Sequence, residues 1–447
     1  MAAPSLQDGI DQAGSAVRLL WKPDAEPWLP EGIEDEYVGW RREQAAWRST
    51  VAFLDLSHHM SDTFVEGPDA VRLLESVSAN DYTRFEIGQA KQFVPVAGDG
   101  NIVTDGILMR TAEAGFVLSG IPAAQNWVKY HGEKGGYDVG FITDPEARWR
   151  EGRDARLFRY QVQGPLAAEL VENAFGGPLP EVKFFHSTPV ALRHARFRAL
   201  RHGMAGQAGY EFIGDWQDAA LVRDCLMAAG EPLGLVRVGA LAYPTASMGS
   251  GWIPTPTPAI YTDPDLADYR AFVGLFTYEG QNPLHGSFYS ERIEDYYTSP
   301  YELGYGRSIS FRHDFIGRDA LLKAKEGVTR TRVTLVFDAE DVRSVIGGGE
   351  DPGYVHSYAR NRVEMAAGEL AGVTFQTDPV DHLGTLLSLA LVDSEWAAQG
   401  TEVSVVWGRH PGPGTSADAD LGFPRVRATV QPAPYDDHAR RRYRRNA

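Results

Sequence analysis

Cysteine is almost missing from this 447-residue sequence, in which Cys225 is the only one. A single cysteine excludes a disulfide framework and any cysteine-rich zinc or iron–sulfur site. The sequence also lacks a run of about 18 apolar residues, which a membrane-spanning helix needs. Its N-terminus lacks the basic and then apolar segments of a secretory signal. We therefore expect a cytoplasmic protein without a membrane partner.

Positive charge is scarce as well, with 43 basic against 60 acidic residues and a net charge of −17. This balance is unsuited to binding a phosphate backbone, so no nucleic-acid partner is expected. The arginine-rich residues 438–447 run against this trend, and a solvated terminus accounts for them. Since a domain usually has about 150 residues, the length predicts two or three domains. The sequence leaves the oligomeric state open.

Several common catalytic motifs are absent: GxSxG, the P-loop, a dinucleotide-binding GxGxxG and HExxH. Their absence excludes the usual hydrolases, kinases, Rossmann enzymes and zincins. His58 and His59 are neighbours in a strand-like run, so they point to opposite faces and cannot both bind one metal ion. No metal site is predicted. Taken alone, His59 is equally well interpreted as a hydrogen-bonded histidine at a strand end.

A strand, a Gly-Pro turn and an apolar-periodic helix occur together in residues 64–75 and again in 161–172. Proline suits the first helical turn because its missing N–H leaves no donor unpaired there. Residues 314–326 keep only the glycine and the helix, while short β-rich runs fill the chain from about residue 328. The four prolines of residues 251–265 predict an irregular segment that crosses or lines the interior. The pattern predicts two α+β halves and then an all-β domain.

Four long motifs carry a family resemblance. They are FLDLSHHMSDTFVEGPDAVRLLESVSAND (53–81), GDGNIVTDGILM (98–109), RHGMAGQAGYEF (201–212) and GYGRSISFRHDFIGRDALL (304–322). In this order they resemble the glycine-cleavage T-protein (aminomethyltransferase) family. The resemblance implies an α+β class fold, a three-domain cloverleaf with two α+β domains that have antiparallel sheets. It further implies a C-terminal β-barrel or jelly-roll-like domain and a central channel for tetrahydrofolate.

We assign the three predicted domains by range. The first α+β domain takes residues 1–50 with 140–245, and the second takes 51–139 with 246–327. The all-β domain takes residues 328–447.

Departures from the T-protein pattern indicate the branch. ALAYPTASMGSG (240–251) replaces an arginine and a glutamate of the T-proteins, and RHGMAGQAGYE (201–211) lacks the cysteine of the tRNA-modifying relatives. Residues 251–262 and 285–305 instead resemble tetrahydrofolate-dependent aryl-ether enzymes: vanillate and syringate O-demethylases and a sesamin-metabolising methylenetransferase. The resemblance implies a tetrahydrofolate-dependent one-carbon transferase that acts on a small aryl ether.

Three functions follow from this resemblance. The preferred one is removal of the methylene bridge of a methylenedioxyphenyl compound, such as a sesamin-like lignan, which gives a catechol and 5,10-methylenetetrahydrofolate. The first alternative is O-demethylation of a methoxy-aromatic, which gives 5-methyltetrahydrofolate. The second alternative is a folate-binding or sensing protein without catalysis.

Three residues are predicted to be catalytic. Tyr243 stands where the T-proteins have arginine, and a tyrosine with its ordinary pKa near 10 is matched to a departing phenolate as a proton donor. Its alternative role is a core or folate-stacking tyrosine. His59 is predicted to relay that proton or to hold the substrate oxygen. Asp105 corresponds to the aspartate near the reacting nitrogen in the T-proteins, although Asp-Gly is also an ordinary turn.

The resemblance also implies a tetrahydrofolate site. Glu211 corresponds to the family's pterin-binding glutamate, because a carboxylate accepts two parallel hydrogen bonds from adjacent N–H groups. Gln161 and Gln163 lie on one strand face and are predicted to contact further pterin atoms. Trp252 is predicted to stack on the folate, and Asp105 to lie beside it.

The substrate side is predicted from three positions. Ile121 stands where the vanillate-type pattern has an arginine, so an uncharged aryl ether is favoured over a carboxylate. Alternation along the strand puts Phe53 on the face of His59. Residues 277–288 look like an inserted lid that includes Gln281, or else a plain surface loop.

Overall fold

The protein is described from a computed structural model that covers residues 3–347 and 353–443. Its strands form two open sheets and one closed barrel. In chain order the strands of these ranges are β1 (Ala52–Asp55), β2 (Ser61–Glu66), β3 (Ala90–Phe93), β4 (Gly106–Ala112), β5 (Gly115–Gly120), β6 (Gly140–Asp144), β7 (Leu157–Gln163), β8 (Ser187–Leu192), β9 (Ala195–Leu200), β10 (Gly209–Asp215), β11 (Val236–Val238), β12 (Arg330–Phe337), β13 (Arg362–Glu364), β14 (Leu370–Val380), β15 (Thr385–Asp393), β16 (Glu402–Val406) and β17 (Arg425–Pro432).

The helices are mostly short, and none of those described is long and apolar enough to cross a bilayer. They are α1 (Leu6–Ala13), α2 (Ala16–Leu20), α3 (Trp40–Ser49), α4 (Ala70–Val77), α5 (Pro122–Lys134), α6 (Ala167–Phe175), α7 (Ala219–Gly230), α8 (Ala246–Ser250), α9 (Ala267–Phe272), α10 (Tyr278–Gln281), α11 (Arg318–Ala324), α12 (Ala339–Asp341) and α13 (Asp437–Arg441). A π-helical turn occupies Val342–Ile346, and 3-10 turns occupy Ala147–Trp149, Trp216–Asp218, Glu231–Leu233, Tyr243–Thr245, Pro264–Leu266, Ile293–Tyr296, Gly306–Ser308 and Asp381–Leu383.

The predicted repeat is confirmed in its first two copies, where α4 follows β2 and α6 follows β7 across a Gly-Pro turn. In the third copy α11 is present, but residues 309–317 before it are irregular. Residues 252–263 are also irregular, as the prolines predict.

The first sheet has the strand order β11-β1-β7-β10-β9-β8. All its pairs are antiparallel except β1 with β11. Helices α6 and α7 cover one face, where Leu170 and Val222 pack against Phe158 and Val162. Because successive strand residues point to opposite faces, the other face carries a different set of side chains.

The second sheet has the order β3-β4-β5-β2-β6, and β12-β15-β14-β13-β16-β17 form the closed barrel. Helices α4 and α5 pack on the second sheet, and α1, α2 and α9 extend the same core. The barrel has its own apolar interior, and its outer side chains, such as Phe375 and Leu389, pack against Val94 and Ile102. The predicted α+β class, with two sheet-and-helix units and a β-barrel, is confirmed.

Three stretches lie in a different unit from the one predicted. Strand β1 pairs with β7 in the first sheet, although residues 51–139 are predicted to belong to the second unit. Strand β6 pairs with β2 in the second sheet, although residues 140–245 are predicted to belong to the first unit. Helices α1 and α2 pack on the second unit, where Leu6 N donates to Val273 O. Strand patterns specify burial but not a pairing partner, so these memberships are decided only by long-range contacts.

Candidate functional site

Strand β7 carries three buried polar side chains on its helix-free face. Arg159, Gln161 and Gln163 alternate with Phe158, Tyr160 and Val162, which face the α6 and α7 core. Polar groups at this depth need partners, because an unpaired buried polar group is strongly unfavourable. The face therefore forms a hydrogen-bonded layer between the units.

Arg159 joins the two sheets. Its Nη1 donates to Glu211 Oε1 of β10 at 2.7 Å, and its Nη2 donates to Asp62 Oδ1 of β2 at 3.0 Å and to Ser119 Oγ at 2.9 Å. Burial lowers the pKa of Arg159, but the charges of Asp62 and Glu211 outweigh that effect and raise it. The guanidinium is therefore permanently charged and clamps two carboxylates of different sheets.

Glu211 is held as an anion. Its Oε2 accepts a bond from Gln161 Nε2 at 3.0 Å and lies 3.1 Å from Nδ1 of His202. Burial alone raises the pKa of Glu211, but the His202 hydrogen bond and the charge of Arg159 lower it to about 2. A carboxylate has about four acceptor positions, and three are filled here. A ligand that needs two of them must displace Gln161 or His202.

The two glutamines have different surroundings. Gln163 donates to Gln161 Oε1 and accepts from the backbone N of Ala205 at 2.8 Å. Gln161 Oε1 also accepts from the backbone N of Met204 at 3.1 Å. Gln163 therefore anchors the loop between β9 and β10, whereas Gln161 touches Glu211 directly.

The rings of His59 and Tyr243 are in contact, with centroids 4.4 Å apart and planes tilted by 57°. Trp28 contacts the imidazole edge-on, with centroids 5.9 Å apart. Neither ring nitrogen of His59 has a partner among the described residues, and the side chain is buried. Burial, helped by the charge of His58, lowers the pKa of His59 to about 3. The imidazole is neutral at physiological pH.

The Tyr243 hydroxyl has only a weak partner, because it donates to the thioether Sδ of Met204 at 3.2 Å. Burial raises the pKa of Tyr243, and the negative charge of Glu211 raises it further. Met204 also donates its backbone N–H to Gln161. Glu211 and Tyr243 therefore belong to one connected group of side chains.

Asp105 forms a second group of polar side chains. Its Oδ2 accepts from Gln92 Nε2 at 2.5 Å, from Trp252 Nε1 at 2.7 Å and from the Tyr305 hydroxyl. Its Oδ1 is buried without a partner among the described residues. Burial raises the pKa of Asp105 to about 6, although the Tyr305 and Trp252 hydrogen bonds oppose the change.

Two further tyrosines, Tyr278 and Tyr358, are buried and have raised pKa values. Burial raises the pKa of Tyr278, and the charge of Asp105 acts on the same phenol. Burial likewise raises the pKa of Tyr358, and the electrostatic effects of Tyr243 and Tyr278 raise that pKa further. Asp105 with its donors, and Tyr243 with His59 and Met204, are thus two groups of contacts in the candidate site.

Two predicted substrate residues lie outside the Asp105 and Tyr243 groups. Phe53 packs in the α6 and α7 core because it pairs with Val162, whose side chain faces that core. The predicted shared face with His59 is wrong, since β1 ends at Asp55 and residues 57–59 form a turn that interrupts the alternation. Leu54, on the opposite face, packs with Tyr243.

Gln281 is exposed at the end of α10, and its amide donates to the backbone O of Leu275 at 2.8 Å. The predicted lid role therefore has no support at Gln281. In the same segment, it is the Tyr278 hydroxyl that is buried. Ile121 is half-buried and follows Gly120, whose backbone packs beside Gly106 and the Asp105 carbonyl. It thus lies near the Asp105 group.

The sequence interpretation missed several members of the two groups. Arg159 carried a usable signal, because residues 159, 161 and 163 are polar at alternate positions of an otherwise apolar strand. Tyr305, Met204 and Tyr278 had none, since they come from loops and short turns whose contacts depend on the tertiary fold. No cluster of three or more metal-ligating side chains occurs in residues 3–347 and 353–443.

Comparisons with known proteins agree with this arrangement. Residues 27–255 match the model of the GCVT N-terminal domain. The chain is 36% identical to syringate O-demethylase of Sphingobium sp. over 99% of its length and 98% of the relative's. It is 30% identical to sesamin methylene transferase of Sinomonas sp., with 90% of both chains covered.

A solved structure shares the fold as well. The glycine cleavage system aminomethyltransferase T of Bartonella henselae is 19% identical, with a TM-score of 0.60 over 91% of this chain and 92% of that one. At this identity the likeness shows the fold alone.

Proposed function

Because this chain belongs to the GCVT aminomethyltransferase family and is a tetrahydrofolate-dependent one-carbon transferase, we propose that it takes a one-carbon group from an aryl ether. Methyl removal from a methoxy-aromatic is the first candidate, because the syringate O-demethylase is similar over 99% of the chain. Methylene removal from a methylenedioxyphenyl compound is the second, on the 30% identity to the sesamin enzyme. This order reverses the preference from the sequence, which put methylene removal before O-demethylation.

The observation that carries the proposal is the His59–Tyr243 pair. Two polar side chains are buried in contact, one without any partner and the other with only a thioether. Buried polar groups are nearly always hydrogen-bonded, so unpaired ones indicate a place for a ligand. A phenolic ether oxygen suits both, since it accepts hydrogen bonds from an imidazole N–H and from a phenol.

The polar residues present fit a bound tetrahydrofolate. The anionic Glu211 and the Gln161 amide are proposed to hold the pterin, with the free Oδ1 of Asp105 as a further acceptor and Trp252 as an aromatic neighbour. The bound cofactor supplies the nitrogen that accepts the one-carbon group. Gln163 supports this surface by accepting a hydrogen bond from the Ala205 backbone N–H.

Tyr243 is proposed to protonate the departing phenolate oxygen. Burial raises the pKa of Tyr243, and it raises that of a phenol bound in the same site for the same reason. Transfer between two phenols is then close to balanced, which is the favourable case for general acid catalysis. The neutral His59 is proposed to donate an N–H to the same oxygen and to orient it.

The test uses oxygen-free incubation of the purified protein with tetrahydrofolate and a panel of methoxy and methylenedioxy aromatics. The folate product, read by mass, distinguishes a methyl from a methylene transfer. Tyr243→Phe is expected to lower turnover roughly 10²- to 10⁴-fold, the usual share of a general acid, while folate binding measured by calorimetry stays unchanged.

Tyr160→Phe is the matched control, because it removes a buried phenol hydroxyl that only donates to Ala219 O in the helix-facing core at 3.1 Å. Its turnover is expected to match the wild type. Full activity of Tyr243→Phe would overturn the proton-donor role. Folate binding without turnover of any panel member would favour a folate-binding protein instead.

A further inference from the structure

Arg360 is a buried arginine outside the groups described above. It lies in the extended segment before β13, is 4% exposed, and its guanidinium stacks on the Phe375 ring at 4.2 Å from the centroid. Its Nη1 donates to the backbone O of Tyr358 at 3.0 Å and of Phe375 at 3.1 Å, and its Nη2 donates to Thr255 O at 2.6 Å. All three partners are neutral.

Two of its donors are unused. A guanidinium has five N–H groups, and the three bonds to carbonyl oxygens leave one on Nε and one on Nη2. Within the described ranges no carboxylate forms an ion pair with Arg360. Burial lowers the pKa of Arg360 to about 10, so the side chain is still charged at neutral pH. A buried cation without a counter-ion is strongly unfavourable.

Other unpaired polar atoms lie in residues 251–265 and 277–288, the two segments that contact Arg360 through Thr255 O and His285 O. The Tyr278 hydroxyl and the hydroxyls of Thr255 and Thr257 are buried without partners among the described residues. The charge of Arg360 acts on the pKa of Tyr278, which burial raises. Thr255 is in direct contact with Arg360 through its carbonyl. Within the described ranges, the Nε of one buried cation and three buried hydroxyls of neighbouring segments therefore lack partners, and no carboxylate pairs with Arg360.

This cluster adjoins the proposed reaction site. Thr255 is three residues from Trp252, which donates to Asp105 at 2.7 Å, and three residues span at most about 10 Å. Tyr278 is influenced by both Arg360 and Asp105. The contact of Arg360 with Thr255 therefore lies within about 10 Å of Trp252 along the chain.

We propose that Arg360 binds a carboxylate of a ligand in this site, an inference that rests on the proposed function. An aryl ether that carries a carboxylate is the first source, and the glutamate tail of tetrahydrofolate is the second. In either case the ligand's carboxylate is bound by a residue of the segment before barrel strand β13. Ile121 lies on a different element.

The test compares two probes, syringate and its methyl ester, by calorimetry in the absence of folate. The wild type is expected to bind the acid more tightly than the ester. Arg360→Met is expected to weaken acid binding roughly 10- to 100-fold, the usual effect of a charge-assisted hydrogen bond, and to leave ester binding within about twofold. The ratio of acid affinity to ester affinity within one variant does not depend on the fraction of protein molecules that fail to fold.

Arg270→Met is the matched control. Arg270 is 6% exposed and also bonds to neutral partners, namely Ile260 O, Asp263 O and Gln7 Oε1. It lies in the α9 core of the second unit, so its removal is expected to leave the acid-to-ester ratio unchanged.

A second arm identifies the source. It compares binding of tetrahydrofolate with that of 6-methyltetrahydropterin, which has no glutamate tail. If Arg360→Met weakens only tetrahydrofolate, the carboxylate belongs to the folate tail. If neither ratio changes, the carboxylate site is refuted. Failure of one-carbon transfer on every panel member would overturn the proposed function instead, whatever these binding ratios show.

Discussion

At the scale of single residues, Asp105 shows how burial sets the chemistry of one carboxyl group. Three donors converge on its Oδ2, which would stabilise the anion. Burial nevertheless prevails and raises the pKa to about 6 from the ordinary 3.8. The folded protein therefore holds this proton more tightly than the unfolded chain does.

Asp105→Asn is expected to stabilise the protein at high pH only. A folded-state pKa above the unfolded one contributes stability that is complete below pH 4 and is lost as the pH rises through about 6. The folded protein loses about 3 kcal/mol of stability in this way. The asparagine amide does not ionise, so the variant does not lose this stability. Urea unfolding at pH 4 and pH 8 measures the difference, and an advantage of the variant that does not grow with pH would contradict this account.

At the scale of elements, the two Gly-Pro turns of the repeat need glycine for two separate reasons. Gly67 and Gly164 have φ of +145° and +135°. A Cβ at either position would meet backbone oxygen, at 2.3 Å from Asp138 O and at 2.5 Å from Thr50 O. The turn thus requires both an unusual backbone conformation and close approach of a neighbouring backbone segment.

Gly164→Ala is expected to destabilise the protein by about 3 kcal/mol or more, from strain and from displacement of the Thr50 backbone. Gly176→Ala is the control, because its φ is +74° but nothing lies within 4 Å of the added Cβ. Its cost is expected to be about 1 kcal/mol. Chemical unfolding of both variants checks this, and equal costs would show that the close approach is unimportant.

At the scale of the whole molecule, Arg159 is a joint between sheets. It pairs Glu211 of the first sheet with Asp62 of the second, and all three side chains are buried. The candidate site is formed where these units meet. Its geometry therefore depends on the same contact that orients the sheets.

Arg159→Met is expected to lower the free energy of unfolding by about 3–5 kcal/mol at pH 7, because two buried carboxylates lose their cation. Glu211 has a folded-state pKa of about 2 against its ordinary 4.5, so its stabilising contribution is present above pH 4.5 and is lost as the pH falls towards 2. The difference between variant and wild type should therefore shrink in acid. Unfolding titrations at pH 3 and pH 7 measure it.

Arg425→Met serves as the comparison for that variant. Arg425 pairs with Glu364 at 2.9 Å, but its side chain is 54% exposed. An exposed pair contributes at most about 1 kcal/mol. A similar cost for both substitutions would refute the role of Arg159 as a joint.

Much of the site could be predicted from the sequence, because its residues occur in motifs with a local pattern. Glu211, Gln161, His59 and Tyr243 were named from such motifs, and the structure brings them into one connected group. Their functional roles are still predictions. Phe53 was misplaced, because the strand alternation that argued for it ends four residues before His59.

The sequence by itself determined the local elements, the α+β class and the family, since these follow from periodicity, turn residues and long motifs that need no knowledge of distant contacts. Only the tertiary structure decided which sheet β1 and β6 join, which face Phe53 presents, and that Arg360 is buried with no carboxylate partner in the described part of the chain. The physical reason is the same in each case. Strand pairing and the partners of a buried charge are set by segments tens to hundreds of residues away, and no local pattern records them.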